Sequence, residues 1–193
     1  ATDYVQFLNR PIAVHTSVNQ GTETGLSLPA NITHSVDGFM VREIHRRCDF
    51  DRDHVADLLS CIMQGEGGER TDREKDQMVL NLWTRYRQNN FLSARIIDFL
   101  DTENLGLVDP ETISDLIMSM PEAPFKVISI HDCFRCLPNY GNDLRRQYNK
   151  ILSEIAASKM LESIVSEIQG YHISVGKAAD ISQEILNADY ALS

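Results

Sequence analysis

The sequence predicts an α+β fold that is mostly helical and is built around one short β element. Apolar residues recur at helical spacing over most of the chain after Asn31. The clearest strand pattern, Phe125–His131, is short, β-branched and bounded by turn residues. The 193 residues suit one domain or a compact pair, and they contain no repeat, low-complexity tract or linker.

Charge and composition narrow the function classes. Eighteen basic residues stand against 28 acidic ones, a net charge of −10. This argues against unaided wrapping of nucleic acid and leaves only a local basic stripe open. No apolar run approaches the ~18–20 residues of a membrane span, so none is expected. Ala1 in place of Met, with no secretion-signal profile in Ala1–Arg10, indicates a processed chain or a piece of a longer one.

The N-terminal part mixes strand and loop patterns before the first helix. Tyr4–Phe7 and Ile12–His15 are strand-like, and Thr16–Leu28 has the polar composition of a loop. From Asn31 to about Cys48, apolar residues recur every four positions, which predicts a helix.

Cap signals place the middle helices. Asp51 or Asp53 is expected to cap the next helix, and Thr71 a long one after it. The stretch between them, Gln64–Glu69, is Gly-rich and acidic, as expected of a solvated loop. A further helix is predicted over about Phe91–Leu100.

The C-terminal half follows the same logic. A short helix is expected to start at Pro110, where the missing amide costs nothing. Pro121–Pro124 breaks the helical run before the strand Phe125–His131, and three helices are predicted after Gly141.

The cysteines and the acid clusters are interpreted as reduced thiols and helix caps and not as disulfides, redox sites or metal sites. Four cysteines in a chain of this length do not form a secreted disulfide framework and indicate a reducing, intracellular setting. Cys133 and Cys136 form a single C-x-x-C, for which two buried thiols are favoured over a metal or redox site. The acid clusters Asp49–Asp53 and Asp101–Asp109 lack calcium-loop positions and are read as helix caps.

The pair His131 and Asp132 is the sharpest local feature, because two polar residues close an otherwise apolar strand. An acid there is desolvated unless a positive group meets it. Asp132 is therefore either a turn residue that caps its own backbone or a metal ligand held at a strand end.

Three sequence segments favour the second interpretation of Asp132, that of a metal ligand. Asn31–Gly38 reads Asn-Ile-Thr-His-Ser-Val-Asp-Gly, Ile130–Phe134 reads Ile-His-Asp-Cys-Phe, and Ile185–Ser193 ends the chain with an acidic-aromatic-Ala tail. In this order they resemble the C-terminal palm region of the single-subunit RNA polymerases of phages and mitochondria. The large virion RNA polymerases of tailed phages are the most similar branch.

The resemblance implies a role for each segment. Asp132 and His131 would be the catalytic residues, and Asp132 would also hold two Mg²⁺ ions together with other carboxylates. His131 would contact the primer-end phosphate or sugar, and His34 would face the new RNA–DNA pair. Arg42 and Arg46 could hold backbone phosphates or form a solvated basic face.

The tail and the partners follow from the same resemblance. The family's C-terminal tail folds back toward the active site, and in this chain it comprises four residues, Tyr190, Ala191, Leu192 and Ser193. The implied partners are a DNA template, nascent RNA and NTPs. The implied location is the phage virion and then the host cytoplasm.

The sequence departs from the family at one residue and in one connection. Cys133 replaces the usual Ser, a small change that also argues against the related DNA polymerases, which place Glu there. The connection between Gly38 and His131 is far longer than in compact phage enzymes. Four segments are therefore predicted: a palm segment (1–50), a helical insertion (51–120), the palm hairpin (121–141), and the C-terminal helices and tail (142–193).

A third departure concerns activity. The family's first metal-binding Asp lies in a motif with a Gly-Arg pair, and this sequence contains no Gly-Arg. The NTP-binding helix is also missing, since Tyr140-Gly141 falls after Asp132. The chain is thus expected to act only with upstream sequence or a companion chain. The alternatives are a non-enzymatic helical virion or ejection protein and a DNA polymerase palm fragment.

Overall fold

Two antiparallel strands open the structure, a computed structural model that describes residues 2–7, 10–15, 27–130 and 133–189. Strand β1 (Thr2–Phe7) pairs with β2 (Arg10–His15), with Val5 opposite Ile12. This confirms both N-terminal strands. The chain divides into two units, residues 1–35 and 36–193, and the boundary falls within the first helix.

Helices account for most of the second unit, so the mostly helical α+β class is confirmed. Among the described residues, the helices are α1 (Ser27–Cys48), α2 (Arg52–Gln64), α3 (Glu74–Asn89), α4 (Pro110–Met118), α5 (Gly141–Ala157), α6 (Met160–Gln169) and α7 (Ser182–Asn187). Short 3₁₀ turns cover Ala94–Phe99, Leu105–Leu107 and Pro138–Tyr140. Strand β3 (Ile128–Ile130) pairs antiparallel with β4 (Cys133–Arg135).

Local signals set several helix ends as expected. The Asp51 carboxylate accepts hydrogen bonds from the amides of Asp53 and His54, so Asp51 caps α2. Gly65 ends the same helix in the left-handed conformation, at φ 69°, which glycine adopts without strain. Helix α4 starts at Pro110 behind an Asp109 cap.

The expected start of α3 at Thr71 is wrong. The helix begins at Glu74, and Arg73 occupies the cap position. The Asp76 carboxylate accepts both the backbone amide and the guanidinium of Arg73, which satisfies an otherwise unpaired donor at the helix start. A contact from the third helical residue therefore decides the boundary.

Two other predicted elements are shorter than expected. The region Phe91–Leu100 contains a 3₁₀ helix, and its first amide, that of Ala94, is bound by the carboxylate of Glu43 at 2.6 Å. The predicted strand starts only at Ile128, because Phe125 instead donates its amide to the Cys48 carbonyl at 2.7 Å. Both differences come from contacts with α1.

The first hydrophobic core lies within residues 50–120, and we call it the contiguous core. Helices α2, α3 and α4 and the turns between them supply its buried members: Val55, Leu58, Val79, Leu92, Ala94, Ile96, Ile97, Leu100, Leu105, Val108, Ile113, Leu116, Ile117 and Met120. Its loops also meet closely, since a Cβ at Gly68 would stand 2.5 Å from the Glu103 carbonyl oxygen. Only glycine permits that approach.

The second core joins segments that are far apart in sequence, and we call it the discontinuous core. Its buried members come from α1, from residues 125–127 and from α5 and α6, with one from the middle of the chain: Met40, Ile44, Cys48, Phe91, Phe125, Val127, Ile151 and Met160. Helix α1 therefore packs against residues that follow position 124. In sequence, the segment that holds the contiguous core lies between these two partners.

Candidate functional site

The hairpin β3–β4 is the element on which the predicted site residues were expected. Ile130 pairs with Cys133, and Ser129 pairs with Phe134. The two residues between the strands, His131 and Asp132, lie outside the described residues. The strands on either side of them, β3 and β4, are described.

The two faces of the hairpin differ. Ser129 and Phe134 are half-buried, and the Phe134 ring lies 5.9 Å from the Tyr148 ring of α5. On the other face, Ile128 and Ile130 keep 62% and 52% of their surface exposed. One face thus attaches the hairpin to the helices, and the other stays open.

Helix α1 supports the hairpin from its C-terminal end. The Nε2 atom of His45 lies 3.1 Å from the Ser129 hydroxyl, one residue before the end of β3. The main chain of Phe125 is bonded to α1 as described above, and the Lys126 ammonium pairs with the Asp49 carboxylate at 2.7 Å. The helix that contains the His-Ser-x-Asp-Gly sequence therefore contacts, near its C-terminal end, the strand that precedes Asp132.

A buried charge cluster anchors the same helix. The side chains of Glu43 and Arg47 are fully buried, and Arg47 Nε donates to Glu43 at 3.1 Å. Arg47 Nη2 also donates to Glu154 of α5 at 2.6 Å. Burial opposes the charge of Arg47, but its bonds to Glu154 and Glu43 outweigh that effect and raise the pKa of the guanidinium.

This cluster also joins the two cores. Glu43 accepts a hydrogen bond from the Ser93 hydroxyl at 2.6 Å, in addition to the one from Ala94. Arg47 Nη2 reaches the Leu92 carbonyl at 3.4 Å. The contiguous core is therefore tied to α1 by buried polar bonds at residues 92–94.

The predicted nucleic-acid-binding residues have different surroundings. His34 is exposed and belongs to the first unit. Arg42 is exposed, lies beside Gly38, and has no ion-pair partner among the described residues. Arg46 Nη1 lies 3.9 Å from the Glu43 carboxylate, so its charge is partly compensated inside the protein. Of the two arginines, Arg42 is the better placed for phosphate.

The interpretation of Cys133 and Cys136 as buried thiols is wrong. Cys133 is exposed, because its side chain lies on the open face of the hairpin, and Cys136 is half-buried. Burial raises the pKa of the Cys136 thiol, and it raises that of the fully buried Cys48 to about 12. These two thiols therefore stay protonated at neutral pH.

The described residues contain no group of three or more His, Cys, Asp or Glu side chains arranged to hold a metal ion. Two carboxylates near the ends of the hairpin segment are engaged by cations, Asp49 by Lys126 and Asp143 by Arg146 at 2.5 Å. The predicted tail residues, Tyr190, Ala191, Leu192 and Ser193, also lie outside the described residues.

Sequence reasoning missed His45, Glu43 and Arg47. The spacing of Glu43 and Arg47 is that of a helical ion pair, which is a usable signal. Their burial depends on residues 92–94 and on α5, and the partner of His45 lies 84 positions away. No local pattern carries that information.

Comparison with known proteins adds no assignment: no protein-family model matches the chain, and no curated protein matches its sequence. Within the ranges that the structure describes, no helix is both long enough and apolar enough to cross a bilayer.

Proposed function

We propose that this chain is the C-terminal palm portion of a DNA-directed RNA polymerase of the phage virion type. The observation that carries the proposal is the attachment of α1 to the β3–β4 hairpin. The part of α1 that follows the His-Ser-x-Asp-Gly sequence contacts the strand that precedes Asp132, 84 positions later, through His45 and Ser129. Elements that carry the motifs of one active site are expected to pack against each other, and this contact between flanking residues is what supports the proposal.

The contiguous core supports the insertion that this proposal requires. Its members fall within residues 50–120, whereas α1 packs on segments after position 124. Residues 51–120 also carry 14 acidic and 7 basic side chains, against 14 and 11 in the rest of the chain. An acidic segment is unsuited to binding phosphates, so nucleic acid is assigned to α1 and the hairpin instead.

The proposed chemistry is transfer of a nucleoside monophosphate from NTP to an RNA 3′-OH on a DNA template, with release of pyrophosphate. Mg²⁺ ions supply Lewis-acid stabilisation of the triphosphate and the attacking oxygen when bound. Asp132 would be one of their ligands, and His131 would bind the primer end. Arg42 would hold a backbone phosphate, and His34 would contact the new base pair.

The site is incomplete within this sequence. One carboxylate cannot hold two metal ions, and the Gly-Arg motif that carries the family's first Asp is absent from the chain. Upstream sequence or a companion chain would supply that Asp and the NTP-binding helix. The proposed location is the virion, followed by the host cytoplasm after infection.

The test is Asp132→Asn in the complete polymerase. The substitution keeps the shape of the side chain and removes its charge, so we expect RNA synthesis to fall by at least about 1000-fold, since metal-held carboxylates stabilise several kcal/mol of transition-state charge. Template binding and the thermal midpoint should stay near the parental values. Synthesis is measured as NTP incorporation on a primed template.

Asp57→Asn is the matched control, because Asp57 is exposed on α2 and has no partner among the described residues. It should transcribe at the parental rate. Parental synthesis by Asp132→Asn would overturn the assignment of Asp132 and of the motifs around it, and a parent protein without any NTP incorporation would favour a non-enzymatic virion protein.

A further inference from the structure

A groove with a volume of about 890 Å³ lies along α5, between residues 143 and 150 of that helix. One wall is the loop 119–123, which follows α4, and the other is the segment 186–189 at the end of α7. Arg52, the first residue of α2, also lines it. We call this cavity the α5 groove, and its volume is in the range of cavities that bind small molecules.

Two buried amide side chains of α5 hold the walls of the groove in place. Gln147 Nε2 donates to the Ser119 carbonyl and Asn149 Nδ2 to the Ala188 carbonyl, each at 2.7 Å. Both side chains are more than nine-tenths buried, so water does not compete for these bonds and the groove is preformed. Each amide also keeps a buried carbonyl oxygen that has no hydrogen-bond partner among the described residues. Pairing of these acceptors with a donor from a ligand would be favourable.

The groove is rich in positive charge within an acidic protein. The chain carries 18 basic and 28 acidic residues, but the basic side chains that line the groove are Arg52, Arg145, Arg146 and Lys150. Arg52 is exposed and has no partner among the described residues. Arg146 donates through Nη2 alone, to Asp143 at 2.5 Å, so its other N–H groups stay available to a ligand. Such donors favour an anion, and a phosphate above all.

The groove also contains acceptors. Glu122, Asp143 and Asp189 line it together with the two buried amides. Ionised carboxylates and amide oxygens accept hydrogen bonds, so they pair with hydroxyl groups. A simple anion would be repelled by the carboxylates, and a neutral sugar would leave the cations unused. A ligand that carries both a phosphate and hydroxyl groups matches the whole lining.

We propose that the α5 groove binds a small phosphorylated compound with several hydroxyl groups, of the sugar phosphate class. Arg52 and Arg146 bind the phosphate, and the carboxylate and amide oxygens accept the hydroxyl groups. Arg52 belongs to the segment of the contiguous core and Arg146 to α5, so the ligand contacts both regions. This inference does not depend on the proposed polymerase function, because its test uses the 193-residue chain without template or NTP.

The first part of the test is isothermal titration calorimetry of the chain with glucose 6-phosphate at constant ionic strength. We expect one site with a Kd of about 1 mM or lower. Inorganic phosphate and glucose should each bind at least about tenfold more weakly, because each makes only part of the contacts.

The second part locates the binding with variants. Arg52→Gln and Arg146→Gln should each weaken glucose 6-phosphate binding at least about tenfold, because each removes a charge-assisted hydrogen bond. Arg87→Gln is the matched control, because Arg87 is equally exposed, has no partner among the described residues and lies outside the groove lining. It should bind as the parent does. All three side chains are exposed, so the variants should fold, as circular dichroism would show.

Hydrogen–deuterium exchange provides an independent readout of the location. Saturating glucose 6-phosphate should slow exchange in peptides that cover residues 119–123 and 186–189 of the parent, and should have little effect in Arg146→Gln. The absence of both heat and slowed exchange at about 10 mM glucose 6-phosphate would overturn the inference. Equal affinity for inorganic phosphate would reduce the groove to a general anion site, and parental affinity in both groove variants would place the binding elsewhere. Either of these results would also overturn it.

Discussion

The contiguous core and the discontinuous core both bury apolar side chains, but they differ in how far apart in sequence their members lie and in the polar interactions around them. The contiguous core uses neighbours in sequence and surrounds itself with a charged network, in which Arg73 bonds Asp76 at 2.7 Å and Asp101 at 3.0 Å. The discontinuous core joins α1 to residues 125–127, α5 and α6 through apolar side chains and the bond between His45 and Ser129. One buried ion pair, Arg47 with Glu154 at 2.6 Å, is added to them.

The difference in sequence separation indicates that residues 50–120, which form the contiguous core, can vary more independently than the rest of the chain. A segment that closes its own core can be added to a fold without rebuilding the rest, because few of its contacts cross the boundary. The crossing contacts here include Phe91 and the bonds from residues 92–94 to Glu43 and Arg47. The carbonyls of Asn89 and Ser119 also accept hydrogen bonds, each at 2.7 Å, from the Lys159 amide and the Gln147 side chain. We call these crossing contacts the joint between the regions. The Glu43–Arg47 cluster is its buried polar part, and a single substitution can remove it.

The largest effect is expected from Arg47→Met, which breaks that joint. The substitution leaves Glu43 and part of Glu154 without their cation inside the protein, and it should lower the free energy of unfolding by about 3–5 kcal/mol. Trp83, the one tryptophan of the chain, packs on the contiguous core and reports its unfolding. We expect urea transitions from Trp83 fluorescence and from far-UV circular dichroism to coincide in the parent and to separate in Arg47→Met.

Arg87→Met is the matched control, because Arg87 is exposed and has no partner among the described residues. It should stay within about 0.5 kcal/mol of the parent, with coincident transitions. Coincident transitions and parental stability in Arg47→Met would show that the two cores are not joined through this cluster.

The sequence predicted the parts of this comparison that depend on neighbours. The start of α4 needed only Pro110 and Asp109, and the start of α2 needed only Asp51. The cap of α3 was misassigned to Thr71, because Asp76 gains extra partners such as Asn104 from a distant loop. Propensity does not encode such a partner.

The second prediction uses acid to separate the two regions. The bonds from Arg73 and the amide of Asn104 hold the pKa of Asp76 well below its usual range. Partial burial opposes the same effect at Asp101, but Lys75 and Arg73 lower the pKa of that carboxyl too. Their stabilisation is present above about pH 4, where the unfolded carboxyls are ionised, and is lost as the pH falls through the folded-state values.

We therefore expect acid to unfold the contiguous core first, with the Trp83 signal changing at a higher pH than the circular dichroism of the remaining helices. Asp98 acts in the opposite sense, since burial raises its pKa, but the pKa values of Asp72 and Asp109 in the same region are lowered too. In the discontinuous region, Asp180 has a lowered pKa at an exposed helix start, where water screens it. Asp76→Asn should lower stability at neutral pH and flatten the acid transition.

Only those parts of the candidate site that consist of residues adjacent in sequence could be predicted. The pair His131 and Asp132 is a pattern in five residues, and the resemblance added Asn31–Gly38 and the tail. The support from His45 was not predictable, because a histidine within a basic run gives no sign that it faces Ser129. The exposure of Cys133 likewise depends on which face of the hairpin meets α5.

The smallest expected effects show how the hairpin is attached to α1. Ser129→Ala removes the half-buried bond to His45 and should cost about 1 kcal/mol of unfolding free energy. Lys126→Ala removes the ion pair with Asp49, but the lysine side chain is 85% exposed, so the loss should stay below about 0.5 kcal/mol. Urea denaturation followed by circular dichroism resolves the two.

The relative size of these two losses of unfolding free energy shows which interaction attaches the hairpin to α1. A larger loss from Lys126→Ala than from Ser129→Ala would mean that surface charge holds the hairpin, as charge holds the loops of the contiguous core. The expected order means that a neutral, half-buried bond and the packing of Phe125 and Val127 fix the strand that leads to Asp132. Such an attachment is insensitive to salt, so added salt should leave the Ser129→Ala difference unchanged and abolish the Lys126→Ala difference.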